Sequence, residues 1–393
     1  MTWNIRTPTF ILSFTLLVMM LGYGMVLPII PFYIEQFGAG GRELGWMMSM
    51  YSLMQLIFAP IWGVLSDRYG RKGILSIGIM GYAISLLFFG LATNFWMLFL
   101  ARTLSGILSS ATMPTAMAYI GDNTPEKERS GKMGQLGAMT GVGVVIGPLL
   151  GGLLSTNSLS FPFFIGAGLA LIAFVLVITI LPESRSQQSS SKQSGVSFGI
   201  LREIFVGPIG ILLLLIFVMS FGLTAFQGIT GLYVIDKFAF DTRQVGSIWM
   251  VMGATMIAVQ GAFTGPLTRR LGEPLLIRIG LVGGSLGFLG MTRAVDYLTS
   301  LLALGAFTAA LALISPALNA HISTYAGERQ GTIMGMNSAA TSLGRVAGPL
   351  WAGYLYEIDI DYPFLSGAMT LGLGLLISFI GTRRQVDDMT TRI

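Results

Sequence analysis

The chain of 393 residues has no cysteine, a single histidine and few charges. Without cysteine there can be no disulfide, thiolate metal site or cysteine nucleophile. His321 as the sole histidine argues against a histidine metal centre or triad, so no metal or cofactor is expected and the chain does not read as an enzyme. No G-x-x-x-x-G-K-[ST] loop is present, which removes ATP as a direct energy source. Charged residues make up 10% and hydrophobic residues 53%, with a mean hydropathy of +0.75. A soluble domain carries about 25% charged residues. Most of this chain therefore has no water to face, and it reads as an all-α polytopic membrane protein whose first partner is the lipid bilayer. The net charge of +5 could point to nucleic acid. Its cations are scattered over short loops, however, so they are topology signals and no nucleic acid is expected.

A spanning helix needs about 20 mostly apolar residues. Twelve runs qualify: 9–34, 45–65, 73–93, 96–119, 131–154, 161–181, 209–235, 245–266, 275–294, 298–321, 332–355 and 363–382. The first is too long for the roughly 7–15-residue core of a signal peptide and has no clear cleavage site, so it is expected to stay as a span. Of the 23 Lys and Arg residues, 17 fall on the face bearing the N-terminus, 4 on the other face, and 2 within spans. By the positive-inside rule both termini are cytoplasmic. A Ser- and Gln-rich stretch, 182–208, reads as a flexible cytoplasmic linker between an N-terminal six-helix bundle, 1–181, and a C-terminal one, 209–393. The halves repeat at an offset near 200 residues. Gly147-Pro148 matches Gly348-Pro349, Met113-Pro114 matches Ser315-Pro316, Glu128-Arg129 matches Glu328-Arg329, and Gly63-x-x-x-x-Arg68-x-Gly70 matches Gly265-x-x-x-x-Arg270-x-Gly272. A parallel repeat of six spans implies two bundles related by a pseudo-two-fold axis along the membrane normal.

Between spans 2 and 3 lies Gly63-Val64-Leu65-Ser66-Asp67-Arg68-Tyr69-Gly70-Arg71-Lys72, a short basic loop with Asp67 as its only acid. Asp67 could accept hydrogen bonds at a helix N-terminus, where the dipole favours anions; the plainer reading is a solvated basic turn. In span 5, Gly143-x-x-x-Gly147-Pro148-x-x-Gly151-Gly152 forms a smooth face suited to close helix packing, and Pro148 removes a backbone donor. Generic small-residue packing is the alternative reading.

The loop pattern G-x-L-x-D-R-x-G-R-K resembles the segment between helices 2 and 3 of the major facilitator transporters. The span 5 pattern looks like the antiporter motif of drug exporters within that superfamily. Together with Gly22-x-Gly24-x-x-Leu27-Pro28-x-x-Pro31 and Ser220-Phe221-Gly222-Leu223-x-Ala225-Phe226, they make the chain resemble twelve-span drug:proton antiporters of the tetracycline and Gram-positive multidrug exporter type. The resemblance implies the major facilitator fold, a bacterial cytoplasmic (inner) membrane location, a monomer, and a substrate site at the interface of the halves. It implies that the Asp67 loop, with Gly63, Arg68, Gly70, Arg71 and Lys72, latches the halves together. It also implies that the span 5 motif seals one half against ion leak.

Two cations lie within spans, where a charge is by default a functional candidate. The resemblance gives Arg102, in span 4, a part in proton transfer; the alternative is an arginine snorkelling to the surface. Arg345, in span 11, either faces a cavity and attracts anionic or carbonyl-rich substrates, or is paired structurally with Asp236 or Glu35. One departure bears on coupling. Related multidrug exporters carry Glu where this chain has Gln227, and Asp where it has Ala312. No acid falls near the midplane, which leaves Asp67, Asp122, Glu35 and Asp236 as proton-transfer candidates beside Arg102. Tyr51, Gln55, Phe226, Gln227, Tyr233, Gln260, Asn337 and Arg345 are candidate cavity residues, set among methionines that can re-pack around varied ligands. Export of small amphipathic compounds by alternating access, coupled to protons, is the expected function. Transport of a specific sugar, lipid or carboxylated metabolite, without coupling, is the other reading.

Overall fold

The computed structural model describes residues 6–184, 208–326 and 330–390. Most of the expected linker, and Glu328 and Arg329 of the repeat, lie outside these residues. The helices are α1 (Arg6–Gln36), α2 (Gly41–Tyr69), α3 (Arg71–Gly90), α4 (Phe95–Ser109), α5 (Thr112–Asn123), α6 (Glu126–Leu154) and α7 (Phe161–Ile180). They continue as α8 (Pro208–Phe238), α9 (Thr242–Ala258), α10 (Thr264–Leu271), α11 (Glu273–Arg293), α12 (Tyr297–Ala326), α13 (Gln330–Tyr356) and α14 (Tyr362–Thr390). A π-helical turn, Val259–Phe263, joins α9 to α10.

By length and composition, ten segments can cross a membrane, with α9, the π turn and α10 counting as one. Two more complete the twelve. The fourth span is broken at Ser110–Ala111 into α4 and α5, each too short alone. Pro114 stands just past that break, and a proline cannot donate to the preceding turn. Its repeat partner Pro316 lies within the unbroken α12. The other segment is α13, where Asn337, Thr341 and Arg345 dilute an otherwise apolar helix.

Local chemistry sets the helix starts. Asn94 Oδ1 accepts from the Met97 amide at 3.0 Å and caps α4. Asp241 and Gln244 bond each other's backbone amides at the start of α9, and Asp296 and Thr299 do the same for α12. These reciprocal pairs satisfy donors that a helix start leaves open. The bonds to Thr299 hold the exposed Asp296 carboxyl below the usual carboxylate range.

Contacts divide the chain into two units, residues 1–191 with 239–253, and residues 192–238 with 254–393. In the first, α1 packs on α6 and α7, and α3 packs on α4 and α7. In the second, α8 packs on α13 and α14, and α11 on α12 and α14. The two units thus repeat one set of neighbours. Gly70 (φ +99°) and Gly272 (φ +75°) close the matching turns, a backbone region that glycine enters without a Cβ penalty.

The apolar core of the first unit gathers Leu12, Leu16, Leu75, Ile79, Leu136 and Val177 from four helices. In the second unit Phe226 stacks on Phe307 at 3.8 Å between ring centres and meets Phe288 and Phe364 edge-on. Aromatic pairs of this kind contribute about 0.5–1.5 kcal/mol beyond burial. Large apolar side chains such as Ile172, Val175, Leu286, Leu302, Leu373 and Leu376 stand exposed. An apolar exterior of this breadth is the surface a bilayer covers.

Candidate functional site

Four constellations hold the candidate residues, three in the first unit and one in the second. The first is the basic loop. Arg71, at the start of α3, is buried, and its guanidinium makes three links. Nη1 meets Asp67 at 2.5 Å and donates to Ser66 Oγ at 2.8 Å, and Nε donates to Asp122 Oδ2 at 3.0 Å. The planar fork of arginine suits such branched pairing. It ties the end of α2 to the end of α5. Asp67, largely exposed, therefore pairs within its own loop. The carboxylate at the amino end of α3 is Glu183, whose Oε1 accepts from the Lys72 amide at 3.1 Å. A Cβ on Gly70 would stand 2.7 Å from that same oxygen, so glycine is required there twice over. Tyr119 donates to the Pro182 carbonyl at 2.9 Å and Asn123 to Ser184 Oγ at 2.7 Å, which holds Glu183 in place. Arg68 lies over the Tyr69 ring, and Gly63 has open space around it.

The second constellation surrounds Arg102. This residue is 2% exposed, which excludes a side chain reaching the surface. Its guanidinium carbon sits 4.1 Å from the centre of the Tyr51 ring and 5.5 Å from that of Tyr23. One nitrogen approaches Met48 Sδ at 3.6 Å, while Nε is buried with no hydrogen-bond partner. Gln55 donates to the Tyr51 hydroxyl at 2.9 Å, fixing that ring. The cation is held by π faces, an interaction of about 2 kcal/mol or more when desolvated.

The third is the glycine face of α6. Added Cβ atoms at Gly143, Gly147 and Gly151 would lie 2.8, 2.6 and 2.7 Å from the carbonyls of Leu17, Leu21 and Met25, so α6 meets the α1 backbone directly. Gly152 meets the Thr242 carbonyl, and the Thr242 hydroxyl donates to Gly152 O at 3.0 Å. The Pro148 ring lies against Gly24. In the second unit Gly344 and Gly348 meet α8 in the same manner, with Pro349 against Gly228.

The fourth is a cavity of about 230 Å³ that lies wholly within the second unit. Its polar lining includes Arg345, Gln227, Ser220, Thr224, Thr308 and Thr341, with Ser315 beside them, and its apolar lining includes Met219, Met256 and Leu311. No acid lines it, and no carboxylate among the described residues pairs with Arg345. Ser220 Oγ and Thr308 Oγ1 are buried there without a hydrogen-bond partner. The two positions where the sequence departs from its resemblance, Gln227 and Ala312, both line this cavity.

The remaining candidates lie apart from it. Phe226 and Tyr233 are fully buried: Phe226 in the aromatic core, and Tyr233 donating to Asp361 at 2.6 Å beside Lys237. Tyr51 and Gln55 belong to the Arg102 nest. Asn337 donates to Asn319 at 2.6 Å, and Gln260 sits in the π turn. Asp236 accepts from Tyr356 at 2.5 Å rather than from Arg345. Glu35 stands near the end of α1. Sequence reasoning missed Glu183, whose signal was an acid beside a proline just past a span. It also missed Thr308, which carries no local signal.

Two helical units that repeat one packing pattern, with Arg102 buried in the first and Arg345 lining a cavity in the second, define a multi-pass membrane transport protein, not an enzyme. The sequence matches the profile of the Major Facilitator Superfamily over residues 12–349 and 261–390, and the chain belongs to that family. It is 33% identical over 389 residues to Multidrug resistance protein 2 of Bacillus subtilis (strain 168), covering 97% of each chain. It is 35% identical over 370 residues to Multidrug resistance protein 1 of the same organism, covering 94% of each. Quinolone resistance protein NorA of Staphylococcus aureus (strain COL) is 30% identical over 370 residues and 93% of each chain. Among solved structures, a bacterial homologue of the human lysosomal transporter Spinster, inward-facing and unoccupied, superposes with a TM-score of 0.78 at 17% identity, covering 98% of this chain and 99% of that one. That likeness concerns the fold alone.

Proposed function

We propose that this protein exports small amphipathic organic compounds, drugs among them, by proton-coupled alternating access across a bacterial cytoplasmic membrane. The observation that carries the reading is near full-length similarity to two multidrug resistance proteins at 33% and 35% identity. Supporting it are the methionine-flanked cavity of the second unit and the backbone-to-backbone seam of α6 on α1, which leaves little room for water. Both termini face the cytoplasm, as the distribution of cations requires. The protein works as a monomer, with the six-helix bundles 1–181 and 209–393 as the moving bodies and 182–208 as the tether.

The proton carrier is sought among the carboxylates. Asp67 and Asp122 share the Arg71 guanidinium, so protonating either one weakens the tie between α2 and α5. That gives the basic loop a physical means to sense proton binding while it acts as the latch. The test uses inside-out vesicles holding an imposed pH gradient, to which cationic, neutral and anionic drugs are added. Drug-dependent collapse of the gradient is expected, with a lower rate in Asp67→Asn at equal protein level. No collapse across the panel, with folded protein present, would overturn proton-coupled export. Equal rates in the two proteins would remove Asp67 from the latch.

A further inference from the structure

We infer that the cavity of the second unit is a receptor for the carboxylate of an amphipathic organic acid, with Arg345 as its anchor. The inference rests on the exporter reading and specifies which compounds that reading favours.

Three observations carry it. First, the half-buried Arg345 lines a partly open cavity without a carboxylate partner among the described residues. A guanidinium partly withdrawn from water gains from a counter-charge, and its planar fork matches a carboxylate with two parallel hydrogen bonds. Second, the same cavity contains two hydroxyls, Ser220 Oγ and Thr308 Oγ1, on residues only 2% and 3% exposed, neither with a partner. Buried polar groups are hydrogen-bonded as a rule, so two orphaned hydroxyls on residues that line one cavity mark a place where a side-chain rotation on binding lets a ligand supply the partner. Thr224, also in the lining, is already satisfied by the carbonyls of Ser220 and Gly344, whereas the Ser220 and Thr308 hydroxyls are not. Third, the rest of the wall is apolar and soft. Met219, Met256 and Leu311 can lie against a ring or a short chain.

Charge selects among ligands. The lining holds one cation and no anion, so a lipophilic cation would meet uncompensated like charge in a low-dielectric space, and a neutral ester would leave the guanidinium unpaired. Size selects as well. At about 230 Å³ the space is smaller than the ~300–1,000 Å³ that encloses a whole drug-sized molecule. It takes the acidic head and the first ring of a ligand.

The test is a matched set of ligands on the purified full-length protein in lipid nanodiscs, read by isothermal titration: 2-naphthoate, its methyl ester, and 2-naphthylmethylammonium. Wild type is expected to bind the acid at least tenfold more tightly than either analogue. Arg345→Gln should abolish that preference and leave the ester unchanged. Thr308→Val, which keeps the shape, should weaken the acid several-fold and not the ester. Equal affinity for acid and ester in wild type would overturn the inference, as would a preference that survives Arg345→Gln. Because the wild-type comparison needs no variant, it decides the question even if Arg345→Gln fails to fold. Transport of neutral or cationic compounds without preference for the acid would refute the acid receptor alone. Failure to bind or transport any amphipathic compound would refute the exporter reading with it.

Discussion

Replacing Gly147 by alanine is the most exacting test of the α6 seam. A Cβ there would stand 2.6 Å from the Leu21 carbonyl oxygen and 3.0 Å from the Gly24 Cα, and both neighbours are backbone. Comfortable heavy-atom separations are about 3.5–4.0 Å, so α6 would have to retreat from α1 by roughly 0.5–1 Å. The whole seam, Gly143 to Gly151, would loosen with it. Overpacking of this kind costs about 1–3 kcal/mol, which is about 5- to 150-fold in the folded-to-unfolded ratio. Gly137 lies on the same helix, exposed and with nothing within 4 Å of an added Cβ. There the same substitution removes only the backbone freedom of glycine and should stabilise by about 0.5–1 kcal/mol. Both variants can be followed by SDS titration in mixed micelles, read by far-ultraviolet circular dichroism. Opposite signs are expected. A neutral or stabilising Gly147→Ala, or the same shift in both, would refute the argument that backbone contact dictates glycine in this motif.

Other expectations concern the charged sites. Arg71→Met strips a three-way anchor from Ser66, Asp67 and Asp122; it should destabilise by about 1.5–3 kcal/mol in the same titration, and Arg71→Lys should recover only part of that. Unchanged stability would mean the anchor is decorative. Glu183→Gln removes the anion at the amino end of α3 and should cost about 0.3–1 kcal/mol at low salt, shrinking as salt rises; a deficit insensitive to salt would point to lost packing instead. Tyr51→Leu keeps an apolar neighbour for Arg102 but removes its nearest π face, and a loss of about 2 kcal/mol is expected. If Tyr51→Leu is neutral, the cation is held by something other than that ring.

Span number, the repeat and the basic loop were legible in the sequence because each depends on local composition. A bilayer cannot satisfy free backbone groups, so an apolar run of about 20 residues must be a helix. Hydropathy predicts one continuous span over 96–119, yet the helix breaks at Ser110–Ala111; the tandem small residues beside Pro114 are the local sign of it. Residues 239–253, the turn before α9 and most of that helix, group by contacts with the first unit, while the sequence division at 209 places them in the second half. The small faces of Gly152 and Gly246 pack on each other there, and nothing local to either residue names its partner.

The two cations within spans mark the boundary between what the sequence determined and what tertiary structure decided. From sequence alone Arg102 and Arg345 stood out as charges inside apolar helices, since the desolvation cost of such a charge is a property of the segment. How each is accommodated was open. Arg102 is held by Tyr23 and Tyr51, contributed by α1 and α2, while Arg345 shares a cavity with Ser220 and Thr308 from α8 and α12. These groups stand tens to more than a hundred residues apart, and hydropathy says nothing about the rotation of one helix against another. Close backbone approaches constrain those rotations: Gly106 of α4 against Tyr51 beside Arg102, and Gly344 and Gly348 of α13 against α8 beside Arg345. They leave one cation beside a pair of tyrosine rings and the other lining a space that a ligand can fill.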